Sequence, residues 1–305
     1  GFIATDENEE ITNLGRGGSD YTAALIANYI DASILEIWTD VSGMYTAHPN
    51  LVSQALPIPF LSYNEAMELS HFGAKVIFPP TLQPLVEKEI PILIKNTFDA
   101  AAQGTKINKK GTSEGGNGTV VKGVSHIENV ALINLEGSGM IGIPGFSKRL
   151  FECLSKKKIN IIMITQASSE HSICIGLRSE DAKDAKKAID TEFEFEISLS
   201  RVEPALVEMN MTNIAVVGDN MKKHQGISGK LFSSLGSNNI NIRAIAQGAS
   251  ERNISIIIDE RNTQKALNSI HECFFETQTK ELNLFITGVG NVGGKLLEQI
   301  NQQQA

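Results

Sequence analysis

The sequence predicts an α/β layered segment followed by two copies of one α+β unit, and three observations carry that prediction. Residues up to about 104 alternate short apolar strands with helical stretches, the pattern of layered α/β domains. A polar run from Lys106 to Gly118, with a single Ile, then interrupts the pattern. Beyond it, Ile159-Asn160-Ile161-Ile162-Met163-Ile164-Thr165-Gln166 is echoed by Ile240-Asn241-Ile242-Arg243-Ala244-Ile245-Ala246-Gln247, at an offset of 81 residues. At that offset Gly145 falls on Gly226, Ser147 on Ser228, Leu150 on Leu231 and Leu154 on Leu235. A period this long, occurring twice, indicates two copies of a small domain, because solenoid units are shorter and need at least three copies.

In the first segment the pattern predicts a helix over Thr22–Ile30, a buried strand over Ser33–Thr39, an amphipathic helix over Tyr63–Phe72 and a strand over Ile92–Asn96. Pro79, Pro80 and Pro84 fall between helices, where proline is tolerated at a helix start. The run 106–118 buries too little apolar surface to order itself strongly, and reads as a linker. In the first repeat, Val130–Leu135 is expected as a strand and Phe146–Lys156 as a helix with Leu150, Phe151 and Leu154 on one face. Strands at Asn160–Thr165 and Ser172–Leu177, a helix at Glu180–Ile189 and a closing strand at Phe193–Leu199 complete the unit. The second copy runs from Ile214 to about Phe275. The order βαββαβ is ferredoxin-like. Residues 282–305 read as a strand (Asn283–Thr287), a glycine-rich turn and the start of a helix.

Composition excludes several function classes. A net charge of −8 over 305 residues argues against nucleic acid as the main partner, since that binding needs clustered Lys and Arg. Small metabolites fit better. No stretch approaches the ~20 apolar residues needed to cross a bilayer, and no signal peptide opens the chain. Cys153, Cys174 and Cys273 have neither close pairing nor metal-ligand spacing, so they are expected as reduced thiols of a cytoplasmic protein. No metal site is expected from protein ligands alone.

Four stretches carry chemistry. Gly15-Arg16-Gly17-Gly18-Ser19-Asp20 stands before a helix, whose N-terminus favours anions, and the planar fork of Arg16 suits a carboxylate. Ser19 and Asp20 also suit plain helix capping. Thr39-Asp40-Val41-Ser42-Gly43-Met44-Tyr45-Thr46 follows a buried strand, where open α/β sheets bind ligands, although Asp near a turn glycine also makes an ordinary loop. Lys75, in Phe72-Gly73-Ala74-Lys75, is placed either to meet a phosphate or to remain solvated near a helix C-terminus. Gly288-Val289-Gly290-Asn291-Val292-Gly293 lies between a strand and a helix, the context of a dinucleotide-binding turn.

Together GRGGSD, TDVSGMYT, Glu65-Ala66-Met67-Glu68-Leu69 and GAKV resemble the second half of aspartate kinase, in the amino-acid kinase family, and the repeats resemble ACT domains, which bind amino acids. The terminal glycine turn resembles the beginning of homoserine dehydrogenase, so the whole is similar to the fused aspartokinase–homoserine dehydrogenases. The resemblance implies a partial kinase domain at 1–105, a linker at 106–118, ACT domains at 119–204 and 205–281, and the start of an NAD(P)-binding domain at 282–305. It implies transfer of the γ-phosphoryl group of ATP, with Mg, to L-aspartate. Arg16 would hold the substrate carboxylate. Ser19 and Asp20 would orient the substrate and the catalytic lysine, Thr39, Asp40 and Tyr45 would contact the nucleotide, and Lys75 would reach its phosphates. Gly288, Gly290 and Gly293 would cradle NAD(P). Two departures stand out. His48-Pro49-Asn50 replaces the usual Asp-Pro-Arg, and the family's Lys-Phe-Gly-Gly segment, source of the catalytic lysine, is absent, so this chain is expected not to catalyse.

Gln166 and Gln247 follow equivalent strands. Each offers donors and acceptors for an amino acid, or reads as a solvated turn residue. The resemblance implies threonine as the feedback effector, bound by Gln166, Gln247, Ile164 and Ile245, with backbone N–H groups near Gly145 and Gly226 meeting its carboxylate. It also implies homo-oligomers, dimer or tetramer, assembled through the ACT domains. The alternatives are a lysine-regulated monofunctional kinase and a non-catalytic amino-acid sensor.

Overall fold

Helix α1 (Gly18–Tyr29) shows how locally the first segment is specified. It starts at Gly17, which is left-handed with φ 76°, and a Cβ there would fall 2.4 Å from the Cβ of Phe78. Only glycine combines that dihedral with so close an approach. The computed structural model describes residues 1–73, 76–112, 119–166, 171–250, 252–276 and 290–303. These fall into two units, Gly1–Phe275 and Glu276–Ala305.

Ahead of α1, β1 (Ile3–Thr5) and β2 (Ile11–Asn13) form a hairpin. After it come β3 (Leu35–Thr39), β4 (Phe60–Ser62), α2 (Tyr63–His71), α3 (Gln83–Val86), β5 (Ile92–Asn96) and β6 (Thr105–Asn108). The sheet order is β3-β5-β6-β4, with β3/β5 and β4/β6 parallel. Helix α2 opens with a capping box, in which Ser62 Oγ accepts from Glu65 N and Glu65 Oε2 accepts from Ser62 N. Such a box satisfies two otherwise orphaned donors.

The expected linker needs correction. Lys106–Asn108 belong to β6, an interior strand, and Ile107 is fully buried. One isoleucine in a polar run suffices there because both strand edges are paired. Residues 113–118 lie outside the described set.

The repeats comprise β7 (Gly123–Glu136), α4 (Phe146–Lys156), β8 (Ile161–Gln166), β9 (Ser172–Arg178), α5 (Ala182–Glu192), α6 (Glu194–Ser198), β10 (Leu206–Val217), α7 (Ile227–Ser237), β11 (Ile242–Ala246), β12 (Asn253–Asp259) and α8 (Thr263–Phe275). The antiparallel sheet has the order β11-β12-β10-β7-β9-β8.

The expected strand at Phe193–Leu199 is instead helical. Phe and Glu alternate there as in a strand, yet Phe193 is fully buried while Phe195 is 70% exposed. Phe193 and Ile197, one helical turn apart, face the core, and Arg149 binds Glu192 and Glu196, also four residues apart. Spacing of i and i+4 is a helical face. The closing strand is the start of β10, where Leu206–Glu208 pair with Leu132–Asn134 of β7.

Conversely, Gly123–Ile127 of β7 pair with Asn213–Val217 of β10 and close the second repeat. Each repeat therefore takes its fourth strand from the other's first strand, and the expected boundary at 204/205 cuts the chain without separating two sheets. The ladder shifts register near Asn129 and Asn210, equivalent residues that are both left-handed with φ 57°. Asparagine tolerates that region better than most side chains.

In the second unit, α9 (Asn291–Gln303) forms as a helix beginning within the glycine-rich turn. The expected strand at Asn283–Thr287 lies outside the described residues. Among the described residues no helix is long and apolar enough to cross a membrane.

Candidate active and effector sites

The carboxyl end of β3 delivers Thr39 and Asp40 to a cleft of about 970 Å³, which Tyr45 also lines. Three expected nucleotide contacts thus converge. Thr39 Oγ1 donates to Asp40 Oδ1 at 3.1 Å, and the Thr97 N–H donates to the Thr39 carbonyl, holding the strand end in place. The turn that follows bends at Gly43, φ 106°, where a Cβ would fall 2.4 Å from Thr105 Oγ1. Thr105 Oγ1 accepts from Met44 N at 2.8 Å and donates to the Ile58 carbonyl at 2.6 Å. This fully buried threonine pins the loop that carries Tyr45 to the cleft. Sequence reading missed it, because a Thr at the edge of a polar run gives no signal of a loop 61 residues away.

Lys75 lies outside the described residues, although its neighbours Gly73 and Val76 line the cleft. The repeats also contribute lining, with Ser125, His126 and Glu128 on β7, Arg178 at the end of β9 and Glu180 just after it. Ser125 Oγ also reaches the Leu69 and Phe72 carbonyls at 3.1 and 2.8 Å, docking the end of α2 onto β7. His48 and Asn50 line the cleft as well, and the His48 ring meets His126 edge-on at 6.0 Å.

Arg16, Ser19 and Asp20 stand apart from these lining residues, at the N-terminus of α1. Arg16 and Ser19 are exposed, and Ser19 Oγ lies 3.5 Å from Asp20 Oδ1. Partial burial raises the Asp20 pKa above the ordinary 3.8, against the lowering effect of that hydrogen bond. The turn is not a capped start, because no side-chain cap bond forms at Gly17.

A second cavity, of about 320 Å³, gathers Gly145, Phe146, Gln166 and Ile173 with Met140 and Ile143. Gly145 is left-handed, φ 103°, with open space where a Cβ would stand, so the first N–H groups of α4 are accessible to an anion. Ile164 shares the strand face of Gln166 but is 49% exposed and outside the lining. Ile173, the register partner of Gln166 on β9, lines the cavity instead. In the second repeat, Gly226 repeats the open left-handed start, φ 86°, and Ile245 on β11 and Gln247 just beyond it are exposed. Gly290 and Gly293 lie at the start of α9, and Gly288 is outside the described residues.

A cleft beyond parallel strand ends, joined to paired ferredoxin-like units with an open helix start, is the architecture of an amino acid kinase segment joined to ACT domains. The amino acid kinase family matches residues 1–96, and the ACT domain family matches 133–193 and 214–274. The bifunctional aspartokinase/homoserine dehydrogenase of Haemophilus influenzae is 44% identical over 304 residues, covering 100% of this chain and 37% of that protein. Clostridium acetobutylicum aspartate kinase aligns with a TM-score of 0.77 at 30% identity, covering 90% of this chain and 62% of that one. E. coli aspartokinase III, solved with aspartate and ADP, aligns at 0.74 and 32% identity, covering 90% and 60%; it has also been solved with lysine and aspartate. The chain belongs to the aspartokinase family, and corresponds to the aspartokinase region of the bifunctional enzymes. It spans about a third of the length of those relatives.

Proposed function

We propose that this chain forms the nucleotide-binding and effector-binding part of an enzyme that transfers the γ-phosphoryl group of ATP to the side-chain carboxylate of L-aspartate. The convergence of Thr39, Asp40 and Tyr45 on one cleft carries this reading, since phosphoryl transfer depends mainly on positioning and charge neutralisation. Arg16 binds the substrate carboxylate, while Ser19 and Asp20 orient the substrate and the catalytic lysine. Lys75 meets the phosphates. Mg²⁺ would be held by one or two carboxylates together with substrate phosphates, and Asp40 and Glu128, both lining the cleft, would supply them. In the whole protein, homoserine dehydrogenase follows, with Gly288, Gly290 and Gly293 in its NAD(P) turn. The domain limits follow the sequence division, with the linker shortened by β6.

The effector is L-threonine, bound in the cavity of Gly145, Phe146 and Gln166 and, in the second repeat, by Gly226 and Gln247. Ile164 and Ile245 flank these sites. Binding shifts the population of repeat packings and so misaligns the kinase site, which requires different affinities for the two states. Assembly is a dimer or tetramer through the repeats, in the cytoplasm.

Aspartate-dependent ATP turnover by the full-length protein tests the reaction. Loss of that turnover in Asp40→Ala is expected, and a folded full-length protein without turnover would favour an amino-acid sensor. Calorimetric titration of the chain with L-threonine and L-lysine tests the effector. Heat with lysine and none with threonine would establish the lysine-regulated reading, which the lysine-bound aspartokinase III favours.

A further inference from the structure

The nucleotide loop is built partly into the second repeat. Ala47 and Val52 belong to one buried cluster with Leu231, Leu235, Leu267 and Ile270. Within the loop, the Thr46 N–H donates to the Leu56 carbonyl at 2.8 Å, and the Thr46 carbonyl accepts from Val124 N at 2.7 Å. Thr46 Oγ1 accepts from Leu56 N at 2.9 Å and also lies 2.9 Å from His271 Nε2 on α8. His271 is 1% exposed and its ring tilts against Phe275, centroids 4.9 Å apart. One helical turn earlier on α8, Asn268 Nδ2 donates to the Leu51 carbonyl at 3.0 Å. The residues on either side of Thr46, Tyr45 and Ala47, line the cleft. Thr46 is therefore the point at which the cleft wall is tied to the helix behind it.

We propose that His271, through its hydrogen bond to Thr46, is a positioning residue for nucleotide binding, so that the second repeat holds the ATP-side loop in its binding shape. The inference rests on the reading of Thr39–Tyr45 as the nucleotide site. The bond is buried, and it joins the loop to the helix rather than to the ligand. Removing it leaves the aspartate-side turn at Arg16–Asp20 untouched. The mechanism therefore acts on one substrate and not on the other.

The test is steady-state kinetics of the full-length protein with Thr46→Val, Thr46→Ser, His271→Phe, His271→Gln and the Thr46→Val/His271→Phe pair. In His271→Phe and Thr46→Val the ATP KM is expected to rise roughly three- to tenfold, the effect of one or two lost buried hydrogen bonds, with the aspartate KM unchanged. Thr46→Ser keeps the hydroxyl, and the amide of His271→Gln reaches toward the Nε2 position, so both are expected within about twofold of wild type. The double variant should match Thr46→Val alone, because the two residues share one interaction. An unchanged ATP KM, an equal rise for both substrates, or additive effects would each overturn the inference. Should His271→Phe fail to fold, the nearly isosteric Thr46→Val carries the test by itself. Asp40→Ala separates the two layers, read by calorimetric ATP binding because its turnover is expected to be lost. If it leaves ATP affinity unmoved, the nucleotide-site reading falls and this inference with it, whereas if it weakens ATP binding while Thr46→Val does not, only the inference falls.

Discussion

The two repeats share a backbone and differ in what their cores contain. Both have a left-handed glycine before the first helix, a left-handed turn after it at Lys158 and Asn239, and a register shift at the same point of the second strand. The core of the first repeat takes in the start of β10 but nothing from the kinase segment, its described members lying between Ala131 and Val207. The second incorporates Ala47 and Val52 from the nucleotide loop, while Ala215 and Val217 on its first strand join the core of the kinase segment. Equivalent positions follow the division. Asp190 on α5 accepts from Ala205 N, just ahead of the closing strand, whereas His271 on α8 meets Thr46 of the kinase segment. Duplication supplied one scaffold twice, and packing partners tied the core of the second copy, not that of the first, to the kinase segment.

Truncating the paired core leucines gives the largest expected effect. Leu150→Ala and Leu231→Ala, both essentially buried, should each cost about 2–5 kcal/mol by chemical denaturation. Only Leu231→Ala should also weaken ATP binding, and equal effects on ATP would remove the asymmetry between the repeats.

Effector binding comes next. Gln166→Ala should lower threonine affinity about tenfold or more by calorimetry, since a lost polar contact of about 1–3 kcal/mol is at stake. Gln247→Ala should do less, because Ile143 and Pro144 beside the first cavity are replaced by His224 and Gln225 in the second repeat. If the two variants lose the same affinity, the repeats are equal sensors.

Acidity should separate the repeats as well. Desolvation lowers the pKa of His271 below 6.5, so the unfolded chain binds the proton more readily than the folded one. The stabilising contribution of the neutral ring is complete above pH 6.5 and is lost as pH falls through the depressed folded value. Unfolding midpoints of wild type and His271→Gln should diverge across this range, with wild type losing more stability toward acid. Parallel pH profiles would show that His271 does not titrate on unfolding.

The smallest effect concerns Arg149, which bridges Glu192 and Glu196 and lies over the Phe193 ring with 4.6 Å to the centroid. Its guanidinium is held above its ordinary pKa by hydrogen bonds to Glu196 and then Glu192. These groups are partly exposed, so Arg149→Lys should cost about 1 kcal/mol or less. Lys230→Arg, at the equivalent position, should leave the melting temperature unchanged.

Helix α4 was legible to the residue, because Leu150, Phe151 and Leu154 mark one face and a glycine precedes it. Strands β8 and β9 were legible from their Ile-rich runs and from the repeat. The α6 segment was not, since Phe and Glu alternation mimics a strand until Arg149 and the Phe146 ring select the helical face. Thr39 and Asp40 could be placed at a ligand site from their position after a strand, and Tyr45 was joined to them by the aspartate kinase resemblance. Thr105 and His271 could not, being single polar residues whose partners are 61 and 225 residues away in the chain.

The sequence by itself determined the duplication, the helix and strand periods, the glycine turns and the aspartokinase resemblance, because these depend on near neighbours and on residue type. Only the tertiary structure decided that each repeat completes its sheet with the other's strand, that Ile173 rather than Ile164 lines the cavity beside Gly145 and Gln166, and that the second repeat grips the loop around Thr46. Those outcomes depend on which buried surfaces and unpaired donors meet across long loops, and chain order alone does not specify that.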